Sequence, residues 1–90
     1  MNLKMRNLEE CFRMAKVQDA TWMAVAIKTN GSESSELILN PNVNFDSKLE
    51  YYKRAYTDNL VLKSYDGIKI VGFTYANTLA EIEKDLWEEE

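Results

Sequence analysis

The run Thr21-Trp22-Met23-Ala24-Val25-Ala26-Ile27-Lys28-Thr29 constrains this chain more than any other segment, because both of its alternating faces are apolar. Met23, Val25 and Ile27 fall on one side and Trp22, Ala24 and Ala26 on the other, too apolar for a solvent-facing edge, which predicts a central strand. Before it, Met5, Leu8, Cys11, Phe12 and Ala15 recur at helical spacing between Leu3 and Val17, opposite Arg6, Glu9, Glu10, Arg13 and Lys16. An amphipathic helix therefore precedes the strand. Glu9 and Arg13 stand four apart with the acid first, the favourable orientation for a surface pair.

After the strand, Asn30 to Ser34 predicts a turn and Ser35 to Asn40 a short second strand. A two-residue Asn-Gly hairpin would set Ile27 opposite Ser34, whereas a five-residue loop aligns Ile27 and Val25 with Leu37 and Leu39 and is preferred. Asn40-Pro41 ends that strand, since proline donates nothing to a ladder. A second helix is expected from about Phe45 to Tyr56, with Phe45, Leu49, Tyr52 and Tyr56 on its apolar stripe. Asn44, Asp46 and Ser47 are its candidate caps, and Ser47 with Glu50 fits a capping box.

Leu60 to Ser64 and Ile68 to Tyr75 are expected to form a hairpin about Asp66-Gly67, with Leu60 facing Phe73 and Leu62 facing Val71. Its second face, with Val61, Lys63, Tyr65, Ile70 and Thr74, is expected to be only partly covered, and Gly72 inside the strand signals a bulge or a close approach by another chain. Thr78 and Glu81 make a capping box for a last helix whose inward stripe is Leu79, Ile82 and Leu86. The order α-β-β-α-β-β-α predicts a single α+β domain over residues 1–90, a four-stranded antiparallel sheet with helices mainly on one face. Glu88, Glu89 and Glu90 oppose the helix dipole at a C-terminus, so residues 88–90 are expected to fray.

The chain contains no histidine, the commonest general base and metal ligand, which excludes Ser-His and Cys-His nucleophile pairs. Cys11, the single cysteine, sits on the apolar stripe of the first helix, where a small buried hydrophobe is expected. Glu81 and Asp85 are spaced to share a cation, but nothing nearby supplies further oxygen ligands. Glycines 31, 67 and 72 form no phosphate-binding pattern. No enzyme activity, catalytic residue, metal or cofactor is therefore expected. Residues 81–90 carry a net charge of −5 and the preceding eighty carry +1, so nucleic acid is not favoured as a partner by the field of the whole chain. The lone thiol and the want of an apolar run of spanning length suit a cytoplasmic protein without a membrane partner.

The stretch Lys48-Leu49-Glu50-Tyr51-Tyr52-Lys53-Arg54-Ala55-Tyr56 interleaves bases with aromatics. Tyr52 and Tyr56 belong to the buried stripe, leaving Lys48, Tyr51 and Arg54 exposed, and Trp87 lies off the stripe of the last helix. Lys48, Tyr51, Arg54 and Trp87 are the candidate interaction surface, since tyrosine, tryptophan and arginine often anchor protein interfaces. From Glu36-Leu37-Ile38-Leu39-Asn40-Pro41 through Phe45-Asp46-Ser47-Lys48-Leu49-Glu50-Tyr51-Tyr52 to Leu60-Val61-Leu62-Lys63-Ser64-Tyr65-Asp66, the chain resembles small uncharacterised proteins encoded by phages and prophages of Gram-positive bacteria. The resemblance covers about residues 20 to 76, carries no catalytic motif, and implies an accessory protein of the host cytoplasm that acts by binding. The expectation is a non-enzymatic module that binds itself or a protein partner. The alternatives are nucleic-acid binding through Lys48, Lys53 and Arg54, or an acidic mimic of nucleic acid built on Glu81, Glu83 and Asp85 that acts on a host nucleic-acid enzyme.

Overall fold

In the computed structural model, which describes residues 3–31 and 35–86, the segment apolar on both faces is β1 (Trp22–Thr29). It is the middle of a three-stranded antiparallel sheet, between β2 (Glu36–Pro41) and β3 (Ile68–Ala76). Three helices complete the α+β fold: α1 (Met5–Val17), α2 (Phe45–Ala55), entered through a 3-10 turn at Asn42–Asn44, and α3 (Leu79–Leu86).

The face of β1 with Met23 and Val25 receives Met5, Leu8, Phe12 and Ala15 from α1 and Phe45 and Tyr52 from α2, with Tyr56, Leu60 and Ile70 closing the cluster. α1 packs over β1 and β3 and α2 over β2, so the two helices lie side by side. Phe12 meets the Phe45 ring edge-on at 5.8 Å, and the seam is bridged outside by Lys16 with Asp46 at 2.7 Å and Lys53 with Glu9 at 3.6 Å. α3 lies on the opposite face, where Ile82 packs with Ala24 and Ala76, and Trp22, Leu37 and Leu39 border them. Helices thus cover both faces. Two of the three share one face, in keeping with the expectation that helices sit mainly on one, and α3 roofs the other because a strand apolar on both sides must be covered twice.

The expected fourth strand does not form. Thr57 N–H donates to the Val61 carbonyl at 2.8 Å and Lys63 N–H to Ala55 at 2.8 Å, folding Leu60 to Ser64 back onto the end of α2. Leu60, wholly buried, takes a left-handed φ of 67° at that reversal. Only isolated bridges remain, Tyr56 with Leu62 and Val61 with Lys69, and the main chain joins Leu62 to Ile68 and Ile70 to Leu60 in place of the expected Leu60–Phe73 and Leu62–Val71 pairs. Gly67 does not make the two-residue turn, since its φ is not positive; the Tyr65 ring tip lies over it, 2.7 Å from where a Cβ would stand, so a side chain there would push that exposed ring aside. Ile70 belongs to the core.

The first hairpin is one residue out of the expected register: Val25 pairs with Ile38, Ala24 with Leu39 and Ala26 with Leu37. The slip moves Leu37 and Leu39 to the α3 face. The opposite face is already filled by Phe45 and Tyr52, whereas the α3 face receives only alanines from the middle of β1, and the leucines fill that space. Asn40 is buried instead, its Nδ2 donating to the Met23 carbonyl at 2.9 Å. The bulge signalled by Gly72 is present: Ala26 pairs with Gly72 and Ile27 with Ile70, passing over Val71.

Local expectations divide similarly. Glu81 N–H donates to Thr78 Oγ1 at 3.2 Å, but the Glu81 carboxylate reaches the Asn77 N–H at 3.0 Å, one residue beyond the expected box. Of the expected inward stripe, Leu79 is half exposed and Ile82 is buried, while the side chain of Leu86 lies outside the described residues. Ser47 is not a cap: its hydroxyl donates to the Asn44 carbonyl at 3.2 Å, inside the first turn of α2. Arg13 pairs with Glu10, leaving Glu9 to Lys53. The expected turn at 32–34 and the frayed end at 88–90 lie outside the described residues.

Candidate functional site

Successive residues of a helix turn by about 100°, which sorts α2 into flanks. Asp46 and Lys53 face α1, as their ion pairs with Lys16 and Glu9 require, and Phe45 and Tyr52 point down to the sheet. Lys48 and Tyr51 fall on the remaining flank. Since α1 lies over β1 and β3, that flank overhangs the outer margin of β2. Lys48 Nζ stands 5.4 Å from the Tyr51 ring centre and 5.9 Å from that of Tyr52, a cation held over aromatic faces. Tyr51 is 43% exposed and Arg54 is exposed on the crest of the same helix. Three of the four predicted interaction residues are therefore on one helix, two of them in contact, while Trp87 lies outside the described residues.

Beneath this flank runs an open strand edge that sequence reasoning missed. Asn42 N–H donates to the Thr21 carbonyl at 3.0 Å, and in an antiparallel ladder hydrogen-bonded pairs alternate. With the observed register, Glu36, Ile38 and Asn40 exchange main-chain bonds with β1, and the main chain of Leu37, Leu39 and Pro41 points outward. Among the described residues no strand lies beyond β2. Pro41 contributes only a carbonyl there, so Leu37 and Leu39 hold the free donors. Glu36 is exposed at the start of the strand on the α2 side, and Leu37, Ile38 and Leu39 are half buried. The signal for this edge was the proline after a short apolar run, a pattern confined to margins of sheets.

Reactive groups elsewhere are muted by their surroundings. Burial pushes the Cys11 thiol up to about 12, so it is protonated at neutral pH, with its sulfur 3.6 Å from that of Met23. Burial also raises the Tyr56 hydroxyl to about 12, and raises that of Tyr52, where the neighbouring Asn40 side chain opposes part of the rise. Tyr52 Oη and Asn40 Oδ1 are both buried without a hydrogen bond. Between α1 and α2 runs a groove of about 350 Å³ floored by Phe12, Val17, Phe45 and Leu49. Its rim charges are engaged with protein partners: Lys16 with Asp46, Arg13 with Glu10 and Glu9 with Lys53. Among the described residues no three acidic or cysteine side chains gather as a metal site, and no helix is long and apolar enough to cross a membrane. None of the protein-family models, curated proteins or solved structures compared with the chain matches it.

Proposed function

We propose that this chain is a non-enzymatic interaction module that receives another polypeptide along the outer edge of β2, beneath Lys48 and Tyr51. On the resemblance over residues 20 to 76, it is an accessory protein of a phage or prophage, working in the host cytoplasm. The observation that supports the reading is the coincidence of two features: outward main-chain donors at Leu37 and Leu39, and an exposed aromatic with a half-buried cation on the neighbouring flank of α2. Strand addition to such an edge takes affinity from main-chain bonds and specificity from adjacent side chains. Arg54 on the crest of α2 extends the contact.

A photo-reactive phenylalanine at position 51 tests the reading when the protein is irradiated in its own host. Discrete cross-linked species are expected from position 51 and none from the exposed position 18 on the far side of α1. No adduct from position 51, or the same adducts from both positions, would refute it. The nucleic-acid alternatives find less support, because Lys53 is paired with Glu9, Lys48 sits over tyrosine rings, and Glu81 is used as a cap. Salt-sensitive binding to single-stranded DNA that is abolished by Lys53→Glu would favour them instead.

A further inference from the structure

We infer that the polypeptide received at the β2 edge is a second copy of this chain, related by a two-fold axis through Ile38, so that two three-stranded sheets join into one. This rests on the interaction reading and names its partner. The edge is complementary to itself in one register. Centred on Ile38, an antiparallel copy sets Leu37 against Leu39 of the other chain in both directions, so each outward N–H meets an outward carbonyl in four main-chain bonds. Centring on Leu39 would oppose Leu37 to Pro41, which has no N–H to return. Centring on Leu37 would carry the ladder past the start of β2 and set Glu36 against Ile38.

Side chains favour the same register. On the α3 side, Leu37 and Leu39 of the two copies meet and extend the small apolar group around Ile82. On the α2 side Ile38 meets Ile38, and Asn40 stands opposite Glu36 of the other chain. The charge pattern then closes. α2 runs back over β2 from the Asn42–Asn44 turn, so Lys48, in its first turn, stands near the Asn40 end of the strand. That is where the Glu36 carboxylate of the other copy arrives, while Glu36 of its own chain lies at the far end of β2. The axis repeats this opposite-charge contact twice, and no like charges are brought face to face along the strand. Tyr51, exposed on the same flank further along α2, is then placed to meet the other copy.

Sedimentation equilibrium of the full chain tests the assignment. The expected mass is twice the 10.5 kDa of one chain. Lys48→Glu and Glu36→Lys should each weaken the dimer by roughly tenfold, and the double variant, with charges exchanged, should return to near the parent value. Leu39→Pro removes an outward N–H without touching the β1 ladder and should give a monomer with an unchanged circular dichroism spectrum. Should that variant fail to fold, the charge exchange decides alone. A parent chain that stays monomeric up to about 1 mM, or a dimer indifferent to the single reversals or not restored by the double one, overturns the second copy. If the monomer still yields an adduct of another mass from position 51, the interaction reading stands and only its partner is wrong. A monomer with no adduct removes both.

Discussion

The two faces of the sheet are built from different materials. Under α1 and α2, rings succeed one another: Phe12 to Phe45 at 5.8 Å, Phe12 to Tyr52 at 6.2 Å, Tyr52 to Tyr56 at 5.9 Å. Under α3, among the described residues, Ala24 and Ala76 of the sheet pack with Ile82. Aromatic side chains bury roughly 150–250 Å² each and alanine far less, so the first face holds most of the hydrophobic stabilisation. The second face gives β1 its other cover at small cost in chain length. A 90-residue domain has a net stability of roughly 5 to 13 kcal/mol, so this inequality is measurable.

The sharpest way to break the comparison is truncation on each face. Phe12→Ala should cost about 3–5 kcal/mol in urea unfolding, and Ile82→Ala about 2 kcal/mol, at the low end because a short helix can settle onto the space left behind. Equal losses would show that α3 is as deeply anchored as α1.

An intermediate effect is expected from alkali, which attacks one face alone. Burial raises Cys11 from 9.0, and Tyr56 from 10.0, to about 12, so the folded state holds these protons more firmly than the unfolded chain does. Stability from this source is complete below pH 9 and is lost as pH climbs from 9 towards 12. Cys11→Ala should move the onset of the decline in urea midpoint towards pH 10, where Tyr56 begins to titrate. A parent profile flat to about pH 11 would contradict the burial of both groups. The smallest effect belongs to the α3 cap. Thr78→Ala removes the hydroxyl that accepts the Glu81 N–H and should cost about 1 kcal/mol, with helix content lost only from α3 by amide exchange.

Much of the aromatic face was legible in the sequence, since Met5, Leu8, Phe12 and Ala15 and then Phe45 and Tyr52 mark their helices by period alone. The centrality of β1 followed from its double apolar face. The α3 face was harder to read, because Leu37 and Leu39 suit either side of a strand and a one-residue choice of loop decides between them. Leu60 to Ser64 misled for a related reason. Its apolar residues match a strand, but a left-handed turn at Leu60, fixed by bonds to Thr57 and Ala55, has no signature in residue type. Lys48, Tyr51 and Arg54 were identified by chemistry, whereas the strand edge below them needed the strand order.

The margins of this sheet are not alike. Outside β3, the Leu60–Leu62 stretch already occupies the ladder at Ile68 and Ile70, while β2 ends in a proline beside free donors. Head-to-tail stacking of β2 onto the next molecule's β3 would meet that obstruction over Ile68 to Ile70, which leaves a shorter ladder for growth into a fibre. A union of two β2 margins would leave neither open and so would terminate at two chains.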